Sequence, residues 1–376
     1  MNRFQQQQII QDLAKKMVFI TGPRQVGKTW LAKEISKGFK SPLYLNYDNF
    51  DQRQIIQKEQ WPQATDLLIF DEIHKMPDWK NYLKGVYDTK NETTKILVTG
   101  SARLETFRQS GDSLAGRFFA HKLLPFSLAE LRKIDSTKES LIDSLIQRGG
   151  FPEPFLAATD IEAERWRNQY IDGLVRHDIL DFENIHDFKS VQLVFELLRR
   201  RTGSPISLNS IAIDVGISPV TVNKYLQIFE ALYIVFRVTP YSKNIARSIL
   251  KESKVYFFDN GLVIGDDGAK IENFVAISLL KNISAKNDLL GERGELKYVR
   301  TKDGKEVDFA IINGENEIEE LIEVKKQDNN LSKTLKYFVE KYSLKGIQLV
   351  KELKNEKQIG NIRILKMENY LKNLFL

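Results

Sequence analysis

Val18-Phe-Ile-Thr-Gly22-Pro23-Arg24-Gln25-Val26-Gly27-Lys28-Thr29-Trp30-Leu-Ala-Lys33 is the segment around which the rest of the chain can be arranged. Val18, Phe19 and Ile20 read as a short apolar strand, and the residues from Lys28 onward as an amphipathic helix, with a glycine-bounded loop between them. Gly22 and Gly27 permit backbone dihedrals that a Cβ resists, so successive N–H groups can curl around an anion. The helix that follows aims the positive end of its dipole at the same point. Lys28 can then reach the β- and γ-phosphates of a nucleotide, and Thr29 can offer its hydroxyl to Mg²⁺. Pro23, Arg24, Gln25 and Val26 complete the cradle and Trp30 follows it, so Gly22 to Trp30 is the expected nucleotide contact. The plain alternative is a glycine turn that happens to hold Lys and Thr; the strict order of strand, loop and helix counts against it.

Downstream, Pro42-Leu-Tyr-Leu-Asn-Tyr47 reads as a second strand and Asp51 to Gln60 as a polar helix. Asp66-Leu-Leu-Ile-Phe-Asp71-Glu72 is an apolar strand that ends in two carboxylates. Beside a phosphate loop, Asp71 is suited to hold Mg²⁺ through water and Glu72 to polarise the water that attacks the γ-phosphate. Alone, such a strand end is just as well a helix cap; the pairing with Gly22–Thr29 favours the chemical role. A helix with apolar spacing at Trp79, Leu83, Val86 and Tyr87 follows, then Lys95-Ile-Leu-Val-Thr-Gly100-Ser101. Ser101 is the expected γ-phosphate sensor, with Thr99 second, and both fit an ordinary strand-end turn equally well. Strands alternating with helices predict a parallel sheet with its ligand at the strands' carboxyl ends, in a nucleotide domain over residues 1–130. Arg117, after Gly116, is the candidate arginine finger, in cis or in trans, with Arg103 and Arg108 as competitors and a surface salt bridge as the bland fate of each.

At 376 residues the chain is too long for one ordinary domain, and its 42% apolar and 28% charged content fits filled cores under a polar surface. It has no cysteine, which excludes disulfides and thiolate-bound metals and fits a cytoplasmic location. A Gln-rich amphipathic helix occupies the first twenty residues where a secretory signal would show a charged segment and a long apolar run. No apolar run reaches the roughly 18 residues of a membrane span, so no membrane partner is expected. The net charge of +6 is mild: residues 1–130 carry 19 basic and 14 acidic side chains, and the remainder is nearly balanced. Charge alone gives little reason to expect nucleic acid.

As a set, TGPRQVGKT, FDEIHKMPDWKNYLKGVYD, LVTGSA, SLAGRFFAHKLLPFSLAEL, GGFPE, RHDI, VYFFDNGL, and KEVDFAI followed by LIEVKK resemble the prokaryotic AAA-type ATPases fused to a C-terminal domain of unknown function 4143. The resemblance runs over nearly the whole chain. It implies a P-loop ATPase module using ATP and Mg²⁺, a helical middle with a winged-helix-like element, and a C-terminal α/β fold similar to PD-(D/E)xK nucleases, the restriction-endonuclease-like class.

The residues of the later segments read as follows. Residues 131–260 form the expected middle domain: helical up to Asp187, with an extended loop forced by Gly149-Gly-Phe-Pro-Glu-Pro154 and one apolar face at Trp166, Tyr170, Leu174 and Ile179. Ser207 to Val235 reads as helix–turn–helix with Gly216 in the turn, and residues 234–239 and 254–258 as a wing. Ser218, Thr221, Asn223, Lys224 and Gln227 would face a DNA groove, yet with a single cation the element serves protein contact equally well.

Residues 261–376 form the expected third domain. Glu272 lies on a helix around 271–280, Asp308 on a strand paired with 296–301, and Glu323 with Lys325 on one face of a further strand. Phosphodiester hydrolysis needs carboxylates to hold Mg²⁺ and a lysine to neutralise charge, so Glu272, Asp308 and Glu323 are the expected second metal set and Asp308, Glu323 and Lys325 the catalytic one. Val307 stands where the motif's name has proline. The bland reading is a hairpin of alternating charge. The tail, Ser332 to Leu376, reads as helix, strand and helix.

Three functional classes follow from these readings. They are an ATPase that couples nucleotide state to its C-terminal module, a nucleotide-dependent protein-interaction switch, and a DNA-processing enzyme whose ATPase gates a nuclease.

Overall fold

The computed structural model describes residues 3–100, 114–134, 141–174, 187–242, 252–327 and 330–376. They divide into two compact units, Met1–Leu124 and Pro125–Leu376.

The first unit runs α1 (Gln6–Leu13), β1 (Met17–Thr21), α2 (Lys28–Ser36), β2 (Pro42–Asn46), α3 (Phe50–Gln57), β3 (Leu67–Asp71), α4 (Trp79–Thr89), β4 (Lys95–Thr99) and β5 (Phe118–Lys122). The strands form one sheet in the order β2-β3-β4-β1-β5, and every pair is parallel. Every residue of β1 and β3 is buried, because helices cover both faces of such a sheet; this is why those strands are unbroken apolar runs rather than alternating ones. Phe19, Phe70, Leu83, Val86 and Val98 meet in the core on one of those faces. From β1 the chain crosses to β2 at the far edge, and the crossover leaves a crevice at the carboxyl ends of β1, β4 and β3 where a ligand can enter.

The second unit begins with α5 (Leu128–Ile134), α6 (Leu141–Arg148), α7 (Pro152–Leu156), α8 (Asp160–Gly173), α9 (Phe188–Arg200), α10 (Leu208–Val215) and α11 (Pro219–Ala231). It continues with β6 (Val235–Pro240), β7 (Lys254–Phe257), α12 (Asp267–Leu290), β8 (Glu295–Arg300), β9 (Glu306–Ile312) and β10 (Ile318–Lys325). It closes with α13 (Lys333–Tyr342), β11 (Gly346–Val350), β12 (Lys357–Ile359), β13 (Ile362–Lys366) and α14 (Met367–Lys372). Its mixed sheet has the order β12-β13-β11-β10-β9-β8-β6-β7. The two strands expected as a wing therefore extend the C-terminal sheet, with β6 pairing β7 on one side and β8 on the other.

Two local expectations give way. The prolines of Gly149–Pro154 start a short helix instead of holding an extended loop: Pro152 sits at the first helical position, where its missing N–H costs nothing. The tail holds three strands rather than one: Lys357–Ile359 is exposed and carries Ile359 as its single apolar residue, and Ile362–Lys366 pairs between it and β11. The face at Trp166, Tyr170 and Leu174 is core, with the Trp166 and Tyr170 rings stacked at 4.8 Å; Ile179 lies outside the described residues.

A buried ion pair ties α12 to α5. The Lys281 ammonium meets the Glu130 carboxylate and donates to Pro125 O at 2.8 Å, and both side chains are almost fully buried. Lys281→Met strips Glu130 of that ammonium and is expected to lower the stability of the second unit by about 3–5 kcal/mol, the cost of breaking a buried pair from one side. Urea unfolding measures it, and Lys281→Met combined with Glu130→Leu should recover most of the loss.

Candidate nucleotide site and a second carboxylate cluster

The loop between β1 and α2 has the conformation its glycines allow. Gly22 has φ +142° and Gly27 φ +98°, and a Cβ on Gly22 would lie 2.1 Å from Leu123 O. No other residue could pass that carbonyl. Lys28 opens α2, is buried, and folds its ammonium onto the loop, donating to Gly22 O at 3.0 Å and Pro23 O at 2.5 Å. Burial pulls its pKa down to about 8, although Glu72 and Asp71 oppose the shift. An ammonium held this way lacks an anion of its own, and a polyphosphate in the crevice would supply one.

Thr29 Oγ1 donates to Asp71 Oδ2 at 2.9 Å, joining the start of α2 to the end of β3. Two further hydroxyls hold the same carboxylate: Tyr44 donates to Oδ2 at 2.6 Å and Thr99 to Oδ1 at 2.6 Å. Glu72 follows in the left-handed region with φ 56°, its N–H donating to Thr99 O at 3.0 Å. Burial raises the Glu72 pKa above its ordinary value, with Asp71 adding to the rise and Lys28 opposing it. His74 Nε2 lies 3.6 Å and Lys75 Nζ 3.9 Å from Glu72 Oε2.

Hard oxygen donors from Thr29 and Asp71, at a helix N-terminus, fit Mg²⁺, which takes one or two protein oxygens and keeps the rest of its shell for water and phosphate. Trp30 is 38% exposed on α2. Ser101, Arg103 and Arg108 lie outside the described residues. Thr99, second choice as sensor, bonds Asp71 directly.

Arg117 is not at this site in its own chain. It precedes Phe118, which is level with Met17 at the opening of β1, whereas the phosphate loop leaves the other end. Five strand residues separate the two edges, roughly 17 Å at ~3.3 Å per residue. Its guanidinium instead pairs with Asp88, at 2.9 and 3.1 Å.

In the second unit Glu272 on α12, Asp308 on β9 and Glu323 and Lys325 on β10 lie around one region, but they do not form a donor set. Among the described residues, no three His, Cys, Asp or Glu side chains are arranged to hold a metal ion. Glu272 and Asp308 face the ammonium of Lys254, from β7, at 3.2 and 3.8 Å, and Glu306 faces it at 2.8 Å. Glu323 pairs with Lys325 at 2.9 Å and accepts from the Ser332 hydroxyl at 3.3 Å. Burial, with Asp308 adding to it, pushes Glu272 up to about 7, and burial raises Asp308 and Glu323 as well. Burial alone would lower Lys254, yet Glu272, Asp308 and Glu306 together hold it above its ordinary value.

Three family profiles match consecutive parts of the chain: an AAA domain over residues 14–132, a domain of unknown function (DUF8612) over 139–265, and a second (DUF4143) over 267–370. The chain is an AAA-domain protein with a C-terminal DUF4143 region. It is 26% identical to an uncharacterized protein of Methanocaldococcus jannaschii, over 90% of this chain and 80% of that protein. An uncharacterized protein of Haemophilus influenzae is also 26% identical, over 88% of this chain and 92% of its own length. Among solved structures, the Walker-type ATPase of Pyrococcus abyssi overlaps with a TM-score of 0.45 and 12% identity, over 69% of this chain and 93% of that one. A variant of Thermotoga maritima RuvB overlaps with a TM-score of 0.32 and 19% identity, over 62% and 88%. Among the described residues of this AAA-domain protein no helix is long and apolar enough to cross a membrane.

Three residues of the two sites escaped the sequence reading. Tyr44 sits in a strand of ordinary composition, and only the pairing of β2 with β3 shows that it reaches Asp71. His74 lies in the turn after Glu72 with nothing in the pattern to mark it. Lys254 had a signal: a lysine heading the apolar run Val255–Phe258 is a cation that the strand carries indoors.

Proposed function

We propose that the AAA domain binds ATP with Mg²⁺ and hydrolyses it, and that nucleotide state controls the activity of the DUF4143 region. The observation that carries the reading is the 2.9 Å hydrogen bond from Thr29 to Asp71, which brings together the two segments, forty-two positions apart in sequence, that are expected to hold phosphate and metal. The amides of Gly22–Lys28 and the Lys28 ammonium would hold the phosphates, with Val26 and Trp30 flanking them. Thr29 and Asp71 would hold Mg²⁺, which when bound neutralises charge on the β- and γ-phosphates. Tyr44 and Thr99 fix the Asp71 carboxylate so that it need not reorganise. Glu72 would accept a proton from the attacking water, and its raised pKa makes it a better base than an exposed glutamate. Ser101 would sense the γ-phosphate, and Arg117 could serve only in trans, at the site of a neighbouring copy.

The titration of Lys28 tests the phosphate contact. A polyphosphate favours the charged ammonium, so above a pH of about 8, where the free site loses that proton, binding must be accompanied by proton uptake. Nucleotide affinity is therefore expected to be level below that pH and to fall as pH rises through and beyond it. Calorimetry in two buffers of different ionisation enthalpy reads the uptake directly; affinity independent of pH up to 10, roughly the ordinary lysine value, would remove Lys28 from the phosphates.

For the second unit we infer a nuclease-like frame that engages a protein partner. Glu272, Asp308, Glu323 and Lys325 occupy a helix and two adjacent strands in the order of the PD-(D/E)xK pattern. Of the residues expected to face DNA, Thr221 is taken up by Ser218 in the helix cap and Asn223 accepts from Arg237 at 3.3 Å. Ile213 and Val220, 81% and 79% exposed, border them, and such apolar surface suits protein better than a phosphate backbone. Plasmid incubated with Mg²⁺ or Mn²⁺ tests the competing reading: identical products from the native protein and Asp308→Ala are expected, and cutting lost in Asp308→Ala would make the module a nuclease.

A further inference from the structure

The carboxylate cluster of the second unit contains its own cation. Lys254 is 1% exposed, and its ammonium lies 2.8 Å from Glu306, 3.2 Å from Glu272 Oε1 and 3.8 Å from Asp308 Oδ1. Its strand fixes it there, because β7 is paired with β6 and the ammonium lies 5.5 Å from the centre of the Tyr298 ring. Several of the oxygens that would bind a metal already accept donors of the chain. Glu272 Oε1 also accepts from the Tyr256 hydroxyl at 2.7 Å, and Asp308 Oδ2 accepts the Val324 N–H at 2.8 Å. Most of the cluster's charge is offset from within the chain: Arg300 stands 3.6 Å from Glu306 and Lys325 2.9 Å from Glu323, so with Lys254 three cations face four carboxylates. Glu323 Oε2 is buried without a hydrogen-bond partner, but one oxygen is not the near-octahedral set that Mg²⁺ demands.

We propose that Lys254 is the resident cation of the Glu272–Glu306–Asp308 cluster and takes the position a divalent metal would occupy, so that the nuclease-like frame works without a metal ion and cuts no phosphodiester. The inference rests on the nuclease-like reading only for the expectation of a metal; the ammonium and its partners stand apart from that reading and from ATP hydrolysis. A divalent ion could enter only by displacing an ammonium sealed from water, or by lying against it at the cost of like-charge repulsion.

Titration of the full chain with Mn²⁺, without nucleotide, decides the matter, because Mn²⁺ loses its six-line paramagnetic resonance signal on binding. The native protein is expected to take up no ion that Asp308→Asn abolishes. Lys254→Gln, which keeps a hydrogen-bonding group but removes the charge, is expected to take up about one ion per chain, and Lys254→Gln with Asp308→Asn to lose it. Uptake by the native protein that disappears in Asp308→Asn overturns the proposal. So does a folded Lys254→Gln, checked by circular dichroism, that takes up nothing. Should Lys254→Gln not fold, Lys254→Arg, which keeps the charge, is expected to bind no Mn²⁺, and uptake there that depends on Asp308 overturns the proposal equally. Cutting of plasmid by the native chain that Asp308→Ala abolishes, with or without added metal, overturns the proposal as well; cutting that Asp308→Ala leaves unchanged counts against the nuclease-like reading alone, because the cluster then has no part in it.

Discussion

Lys28→Ala is expected to reduce ATP turnover by roughly 10²–10³-fold or more, the loss seen when one preorganised charge partner of a reacting group is deleted. The substitution removes the one ammonium that both opens α2 and folds over the loop, where it is buried against Gly22 O and Pro23 O. Those carbonyls would repel a phosphate if left alone in the crevice, so the loss should fall on binding as well as on rate. The loop itself should survive, because its shape comes from Gly22 and Gly27 and from the close approach of Leu123 O rather than from the lysine. Phosphate release with a coupled assay, alongside binding of a fluorescent nucleotide, measures both. Unchanged turnover would mean that hydrolysis, if present, occurs elsewhere in the chain.

Glu72→Gln is expected to separate the two steps. Glutamine has the same shape and leaves the backbone N–H bond to Thr99 O untouched, so ATP should bind about as well as before. Turnover should fall by roughly 10²–10⁴-fold, the usual contribution of a positioned general base. The neighbouring His74 and Lys75 bear on how Glu72 is oriented, so His74→Ala should lower turnover less than Glu72→Gln while leaving binding intact. Full turnover in Glu72→Gln would place the base on another residue.

The parts of the fold and site that were legible in the sequence are those set by local chemistry. β1 and β3 are central strands of a covered sheet, so they had to be apolar throughout, and what stands at their ends is exposed by contrast: a glycine loop with Lys28 and Thr29, and a carboxylate pair at Asp71 and Glu72. Their meeting depends on strand order, and the parallel alternation of elements was enough to suggest it. What stayed hidden depends on register and on contacts between distant segments. Arg117 looks like a finger in sequence, but the pairing of Met17 with Phe118 sets it at the wrong edge of the sheet. Tyr44 meets Asp71 only because β2 lies beside β3 in register, with Asn46 opposite Asp71. Pro152 reads as a breaker, yet it begins a helix, because the first helical turn needs no N–H there. In the second unit the motif residues were legible one by one, whereas Lys254, which alters what they can do, comes from a strand that pairs with neither of theirs.

The most direct test of the nucleotide site is anomalous diffraction from crystals grown with Mn²⁺ and a non-hydrolysable ATP analogue. The account predicts an anomalous peak within bonding distance of Thr29 Oγ1, facing Asp71, with the β- and γ-phosphates against the Gly22–Lys28 amides and the Lys28 ammonium turned from Gly22 O and Pro23 O to the phosphates. Nucleotide bound away from that loop, or Mn²⁺ bound with the nucleotide but remote from both Thr29 and Asp71, would contradict it.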